Sequence, residues 1–489
     1  MAVRFYRKRE APMIRLSATD ALFLYADSEI APMNMGSVQI LKLPDDYKGD
    51  FFENYKQFVA ERLDYIPKLT MKLVDDGLGL PCLLPCDDVD IDYHVRKTRV
   101  KSDREEDLAR KLGRLQHRPF DFDKPLFMFY VVEGLKDGRI AIMQKFHHAM
   151  ADGNTSVKIM TLFSDSGLEH FGGKKPEAEV ESPGRLRRML SGTLEDVRRT
   201  AATLSPAIGA ASKLFSEDGK KMLSHLKDRP VTIFNKPLSE KRLFATHRWP
   251  LEKLTTIRRA AGLTFNEIGL TLLSGALRRY LDERDALPDQ SLVCNVPVAI
   301  KTETGTTGNA VLAMWVDIGT QLEKRSDRIE SINTDVESGK RLLTEVQEAA
   351  GAGQGVQLPS LMMRSMGLSL GSGLVNRFNP PPGNIAMSSV PVPAEKITVA
   401  GADVEELYGM PMILHGQAVS TTISTYMDDV VVSILCCEEA LPDPERLLGY
   451  MQQELDEMSA ELPAERVRSI KSKGSAKKRK SKVSRVSTG

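Results

Sequence analysis

The stretch "RIAIMQKFHHAMADGNTS", residues 139–156, is where the fold and the chemistry can first be read together. Its opening part alternates moderately between apolar and polar residues and ends at two adjacent histidines, His147 and His148. The following "GNTSVKIMTLF" has helix character, so the histidines and Asp152 fall in a strand-to-helix connection. Such a connection lets side chains point into a cleft while a rigid element holds them. Just upstream, "FMFYVVEGL" reads as a second strand, joined to the first by the turn signal "KDG".

Adjacent residues at a strand end face opposite ways. One histidine should therefore face the cleft and the other the body of the domain. An imidazole with a pKa of roughly 6.5 is mostly neutral in the cell and can act as a general base. Asp152 is expected to anchor the loop through a buried hydrogen bond or ion pair, and Gly153 to permit a tight turn. From spacing alone three readings stay open: metal ligands, a structural pair with one ring in the core, and a catalytic base.

Working outward, strand and helix patterns alternate on both sides. "GSVQILKL" (36–43) reads as a strand, and "FFENYKQFVAERL" (51–63) and "EDLARKLGRLQ" (106–116) as helices. Residues 171–184 read as an exposed linker. A long helix follows, with Leu186, Met189, Leu190, Leu194, Val197, Ala201, Leu204 and Ile208 on one stripe and arginines on the other face. A crossover packed between two domains is the favoured reading of that helix, with a helix lying on a membrane as the other.

The second half repeats the mixture. "TFNE" before "IGLTLLSGALRRYL" is a capping box, with Thr264 and Glu267 as its partners. "SLVCNVPVAI" and "NAVLAMWVDI" read as strands, and a hairpin turns at Met427-Asp428-Asp429. "DPERLLGYMQQELDEMSAEL" reads as a closing helix. The expected fold class is therefore α/β (α+β) with mixed sheets. The expected units are 1–170, a linker and crossover helix at 171–240, 241–465, and a tail at 466–489.

The 489 residues suit two to three domains, and the composition is that of an ordinary globular protein. The start has no apolar run after its basic residues, unlike a signal peptide. The longest nearly unbroken apolar stretch, "VVVSILCC", is far too short to span a bilayer, so a cytoplasmic location is expected. Five cysteines argue against a disulfide framework. Cys82 and Cys86 have no second pair nearby, so no metal site is expected. The tail after Glu465 carries ten Lys or Arg and no acid, leaving 57 basic against 66 acidic residues elsewhere. It is expected to be disordered, as a solubilising tail or an anchor on anionic lipid head groups. No second basic patch with aromatics supports nucleic-acid binding.

"HHAMADG" matches the HHxxxDG signature of the coenzyme-A-dependent acyltransferase superfamily. The surroundings narrow the likeness. "LSATDALFLY", "PMNMGSVQIL", "DYHVRKTRV", "RPFDFDKPLF", "FNEIGLTLLSGALRRYL", "VPVAIK", "GNA" (308–310) and "ISTYMDDVVVSILCCEEALPDPERL" together resemble the bacterial wax ester synthase/diacylglycerol acyltransferase family. The resemblance covers nearly the whole chain apart from the tail. Two departures stand out: the family's Asn-Asp pair is Asn266-Glu267 here, and its Ser-Asn-Val-Pro-Gly-Pro motif is "SSVPVP" at 388–393. Asn is thus replaced by Ser389, and Gly by Val392.

The resemblance implies two chloramphenicol-acetyltransferase-like domains with a tunnel between them. It implies acyl transfer from fatty acyl-CoA, as substrate with no other cofactor, to diacylglycerol or a long-chain alcohol. It makes His148 the base, with His147, Asp152 and Gly153 in support. Asn266, Pro125, Leu126, Phe127, Ser388 and Ser389 become candidate substrate-binding residues. The Met-rich stretch 358–375 reads either as an acyl channel or as a core helix. Lipid substrates without a membrane span imply peripheral contact with the inner membrane or lipid droplets. Two other functions stay open: another hydroxyl or amine acceptor, and a non-catalytic lipid-surface protein on the same scaffold.

Overall fold

The computed structural model describes residues 13–461 apart from 87, 151–152, 171–183, 300–310, 351–358, 374–382, 391 and 394. Asp152, the linker, residues 308–310 and the basic tail thus lie outside the described residues. The first part runs β1 (Ile14–Arg15), α1 (Ala18–Ala26), β2 (Asn34–Lys42), α2 (Phe51–Arg62), β3 (Met71–Val74), β4 (Cys82–Pro85) and α3 (Ile91–His94). It continues β5 (Val95–Arg99), α4 (Glu105–His117), β6 (Phe127–Glu133), β7 (Ile140–His147), α5 (Gly153–Leu162) and α6 (Gly167–His170). Then come α7 (Arg185–Ser212), α8 (Glu217–Asp228), β8 (Arg242–Pro250), α9 (Leu251–Ala261) and α10 (Phe265–Asp282). The rest is β9 (Val293–Ala299), β10 (Val311–Asp317), α11 (Arg325–Ala350), α12 (Ser360–Gly371), β11 (Ile385–Ser389), β12 (Thr398–Val399), β13 (Ala402–Met410), β14 (Val419–Tyr426), β15 (Asp429–Cys437) and α13 (Pro444–Ala460).

Two six-stranded mixed sheets carry the fold, in the orders β12-β13-β2-β7-β6-β5 and β10-β9-β11-β14-β15-β8. A small third sheet orders β1-β4-β3. The hairpins form where turn chemistry directs them. Asp137 and Gly138 take φ of 58° and 69° between β6 and β7, and Met427 takes φ 52° between β14 and β15. β6 and β7 are almost wholly buried, so they read as apolar runs rather than clean alternation.

The sheets are not segregated along the chain. β12 and β13 come from the second half, yet β13 pairs with β2 in the first sheet, from Met410 against Gly36 to Asp403 against Lys42. Their Val399, Val404 and Leu407 lie in the core that holds Phe127, Phe129 and Phe146. The link between the sheets runs through Gly409, whose carbonyl accepts Oγ1–H of Thr422 on β14 at 3.1 Å and the Ser433 hydroxyl of β15. The second core packs α10 and α13 on their sheet. It is pinned by buried Glu454, which pairs with Arg279 (2.9 Å), Arg325 (3.1 Å) and Arg328 (3.0 Å). A buried carboxylate needs such partners, or its desolvation would be uncompensated.

α7 touches both halves, at Arg15 and Asp76 of the first and at α11 of the second, but not through its apolar stripe. Leu186, Leu190, Leu194 and Val197 are 61–71% exposed, so its apolar stripe faces outward. The polar face is the one held to the protein: Arg188 forks onto Asp76, Glu195 meets Arg15 at 3.1 Å, and Asp196 accepts from Ser360. Directional charge pairs decide which side docks, and the leucines are left outside.

Candidate active site

His147 ends β7 and His148 opens the short turn that follows, so the chain changes direction between them. His147 is fully buried; His148 is half-buried. The register of β7 fixes the pair: His147 faces Asn34 on β2, and its N–H donates to the Leu126 carbonyl at 3.0 Å. The N–H of His148 donates to the Met33 carbonyl at 2.8 Å.

The His147 ring is hydrogen-bonded at one nitrogen and faces a carboxylate with the other. Its Nδ1 accepts the Ala149 N–H at 3.1 Å, so its proton sits on Nε2. That nitrogen lies 3.3 Å from Oδ2 of Asp27, the residue that closes α1. The same oxygen accepts the Met33 N–H at 2.7 Å. Asp27 thereby ties the two histidine segments to the 27–34 loop. Phe120 and Phe122 stand edge-on to the ring, with centroids at 6.3 and 5.7 Å. The His148 ring stacks on Phe23 of α1, with centroids 3.9 Å apart and planes 24° apart.

Pro125, Leu126 and Phe127 are buried behind the histidines. Leu126 supplies the carbonyl under His147, and the Phe127 carbonyl bonds Nδ1 of His94 at 2.8 Å. Burial pushes His94 down to about 4, so it is neutral at neutral pH. The contacts of this triplet are with the histidine support. Gly153 begins α5.

The second group of candidates stands on the other sheet. Thr264 caps α10 and Glu267 reaches back to it, so Glu267 is spent on the capping box. Asn266, in the first turn of that helix, accepts the hydroxyl of Ser389 at the end of β11. Both are exposed, and Ser388 beside them pairs with Thr422. The serine that replaces the family's asparagine therefore contacts the first residue of the Asn-Glu pair. Val392, in place of the family's glycine, packs against the core of the first sheet.

Three neighbours of the site went unread in the sequence: Asp27, Phe23 and Lys145. Lys145 is the clearest signal in hindsight, a lysine in a strand otherwise fit for burial. It is 1% exposed, donates to the Leu115 and Arg118 carbonyls at 3.1 and 2.7 Å, and lies over the Phe120 ring. Among the described residues no cluster of three or more His, Cys, Asp or Glu suits a metal ion, and the five cysteines are free.

Residues 16–268 match the wax ester synthase/diacylglycerol acyltransferase catalytic domain, and residues 307–459 match that family's C-terminal domain. The chain belongs to this family. A Mycobacterium tuberculosis (H37Rv) protein named as a diacylglycerol O-acyltransferase is 28% identical over 465 residues, covering 91% of this chain and 99% of its own. The O-acyltransferase WSD of Acinetobacter baylyi is 24% identical over 457 residues, with 90% and 96% covered. In structure, the wax ester synthase/diacylglycerol acyltransferase of Marinobacter aquaeolei VT8 superposes with a TM-score of 0.65 at 21% identity, covering 91% and 99%. A starter condensation domain of rhizomide synthetase, in complex with C8-CoA, gives 0.52 at 16% identity, with 92% and 94% covered. The wax ester synthase/diacylglycerol acyltransferase fold, with its two mixed sheets, is therefore that of this protein, and membership makes it an O-acyltransferase.

Proposed function

We propose that His148 is the general base in transfer of a fatty acyl group from acyl-CoA to the hydroxyl of diacylglycerol, or of a long-chain alcohol. The supporting observation is the division of labour in the pair. His147 is buried and fixed by Asp27, Ala149 and Leu126, whereas His148 is half-buried with its ring plane set by Phe23. A half-buried ring whose plane is held in place fits a group that must meet substrate.

The reaction balances with one base. His148 takes the proton of the acceptor hydroxyl as its oxygen attacks the thioester carbonyl. The tetrahedral oxyanion collapses, the C–S bond breaks, and the imidazolium returns its proton to the coenzyme A sulfur. A thioester is already activated, so no covalent enzyme intermediate is needed. Asn266, beside the free N–H groups at the start of α10, is the donor we assign to the oxyanion. Ser389 fixes the Asn266 carbonyl and so leaves its NH₂ to point elsewhere. In this reading the acyl chain lies in a tunnel between the two sheets, and Asp152 anchors the histidine loop.

The acceptors are insoluble in water, so the protein works in peripheral contact with the cytoplasmic face of a membrane or with lipid droplets. Among the described residues no helix is long and apolar enough to cross a membrane. The test is coenzyme A release from palmitoyl-CoA with diacylglycerol or hexadecanol. His148→Ala should lower the rate by about 10²–10⁴ with the fold intact by circular dichroism. A folded variant that turns over at the wild-type rate removes the base from His148. Lipid binding without turnover in either protein would instead favour the non-catalytic scaffold.

A further inference from the structure

A surface helix ordinarily turns its apolar stripe inward. α7 does the reverse, and it is not alone. On α12, Leu361 (74%), Met362 (56%), Met366 (39%) and Leu368 (56%) are exposed, while Ser360, Gly367 and Gly371 face the protein. The two helices are joined at Asp196, which accepts both the N–H and the hydroxyl of Ser360. Leu78, also exposed, comes up beside them, because the loop at Gly79 runs against the backbone of Gly192 on α7. Three segments far apart in sequence thus bring exposed apolar side chains near the Asp196–Ser360 and Gly79–Gly192 contacts, and clustered exposed apolar groups of this kind mark interaction surfaces.

Acids and arginines both border this face, and Asp196 is held by Ser360. Other acids are engaged with the protein's own cations: Asp76 with Arg188, Glu195 with Arg15, and Asp75 with Arg364 at 3.2 Å. Arg187 and Arg198 stand exposed on α7 beside the leucine stripe. Apolar side chains rimmed by outward arginines match an interface that is hydrocarbon below and anionic at head-group level.

The face also lies one helix away from the histidines. α12 packs so closely on α1 that a Cβ on Gly367 would come within 2.5 Å of Tyr25 Cβ, and one on Gly371 within 2.5 Å of the Ala26 carbonyl. α1 in turn carries Phe23, which stacks on His148.

We propose that the outer faces of α7 and α12, with Leu78, form the surface by which this protein lies on an anionic lipid bilayer and draws its acceptor from it. The docking half stands on the exposed leucines and arginines. The delivery half rests on the acyl-transfer reading of His148.

The test uses the full chain and three proteins: wild type, Leu190→Ser with Leu194→Ser, and Arg187→Glu with Arg198→Glu. Cosedimentation with phosphatidylcholine vesicles, with and without phosphatidylglycerol, reads docking. Coenzyme A release reads turnover, once with diacylglycerol in the vesicles and once with hexanol in water. The serine pair should weaken vesicle binding roughly tenfold or more. It should slow turnover of vesicle-borne diacylglycerol and leave turnover of hexanol unchanged. The glutamate pair should abolish the preference for phosphatidylglycerol. Wild-type vesicle binding by the serine pair overturns the proposal. So does a wild-type dimer in light scattering that the serine pair dissociates without altering vesicle binding, since the face would then cover a second copy. If no protein turns over either acceptor while binding still follows the leucines, the acyl-transfer reading fails and the docking surface stands.

Discussion

Oδ2 of Asp27 lies 3.3 Å from Nε2 of His147, and the same oxygen accepts the Met33 N–H. One carboxylate therefore orients a buried imidazole and fixes the loop whose next carbonyl receives His148. Asp27→Ala leaves the Met33 N–H without its acceptor and removes the carboxylate beside His147 Nε2, which costs about 1–3 kcal/mol. The expected outcome is a lower midpoint in urea, together with a fall in kcat larger than any rise in KM. Asp27→Asn keeps an acceptor oxygen and should recover part of both. Wild-type kcat in a folded Asp27→Ala protein would show that the His147 orientation is irrelevant to turnover.

The stack of Phe23 on His148 makes a separate prediction. At 3.9 Å the rings are in contact, and such pairs contribute about 0.5–1.5 kcal/mol. Phe23→Ala should therefore lower kcat about threefold to tenfold by letting the imidazole rotate, with Phe23→Tyr close to wild type. Steady-state rates with hexadecanol and palmitoyl-CoA check this, and equal rates in all three proteins would exclude it.

How far these contacts were readable in advance depends on their range. The β6–β7 hairpin was legible because "KDG" supplies two left-handed positions, at Asp137 and Gly138, between two strand-like runs. The capping box at Thr264 and Glu267 was legible because it too is local, spanning four residues. Asp27 was not, because 120 positions separate it from a histidine that the β2–β7 register brings beside it. β13 was not, because alternation announces a strand but says nothing of which sheet takes it. α7 is the sharpest case. Its leucine stripe was read correctly as a stripe, but periodicity is blind to direction. The ion pairs of Arg188 and Glu195 with Asp76 and Arg15 decide the outcome, and both partners lie over a hundred residues upstream.

Ser389 invites a reversal of the family difference. Its hydroxyl donates to Asn266, so Ser389→Ala removes one exposed hydrogen bond and should cost little stability. In the oxyanion reading it frees the Asn266 side chain to rotate, and kcat should fall up to about tenfold with KM for palmitoyl-CoA nearly constant. Ser389→Asn restores the family's amide and should hold kcat at or above wild type. A rise in KM alone in Ser389→Ala, with kcat unmoved, would assign Ser389 to binding instead.

Gly367 carries the contact of α12 with α1. A methyl there meets Tyr25 Cβ and its backbone carbon, neither of which can swing away. Gly367→Ala should thus part the helices and cost about 1–3 kcal/mol, read as a lower unfolding midpoint. Turnover should fall too, because α1 holds Phe23. Unchanged stability would mean that α12 is not packed on α1 in solution.

Lys145 sets a pH dependence whose sign can be worked out. Burial, reinforced by the Arg118 charge, brings its ammonium down to about 7, against an ordinary value of about 10.5. Between those values the unfolded chain holds the proton that the folded chain has shed. Stability must therefore rise with pH across that window, with a slope from this group approaching about 1.4 kcal/mol per pH unit. Below about pH 7 both states hold the proton and the slope vanishes, leaving a charged amine offset by the Leu115 and Arg118 carbonyls, the Phe120 ring and the Asp27 charge. Lys145→Met loses those two hydrogen bonds but also the buried charge. Urea unfolding of both proteins at pH 6, 8 and 9.5 should give a stability difference that grows in favour of the wild type as pH rises. A difference that stays constant over this range would mean that Lys145 keeps its proton inside the fold as it does in water.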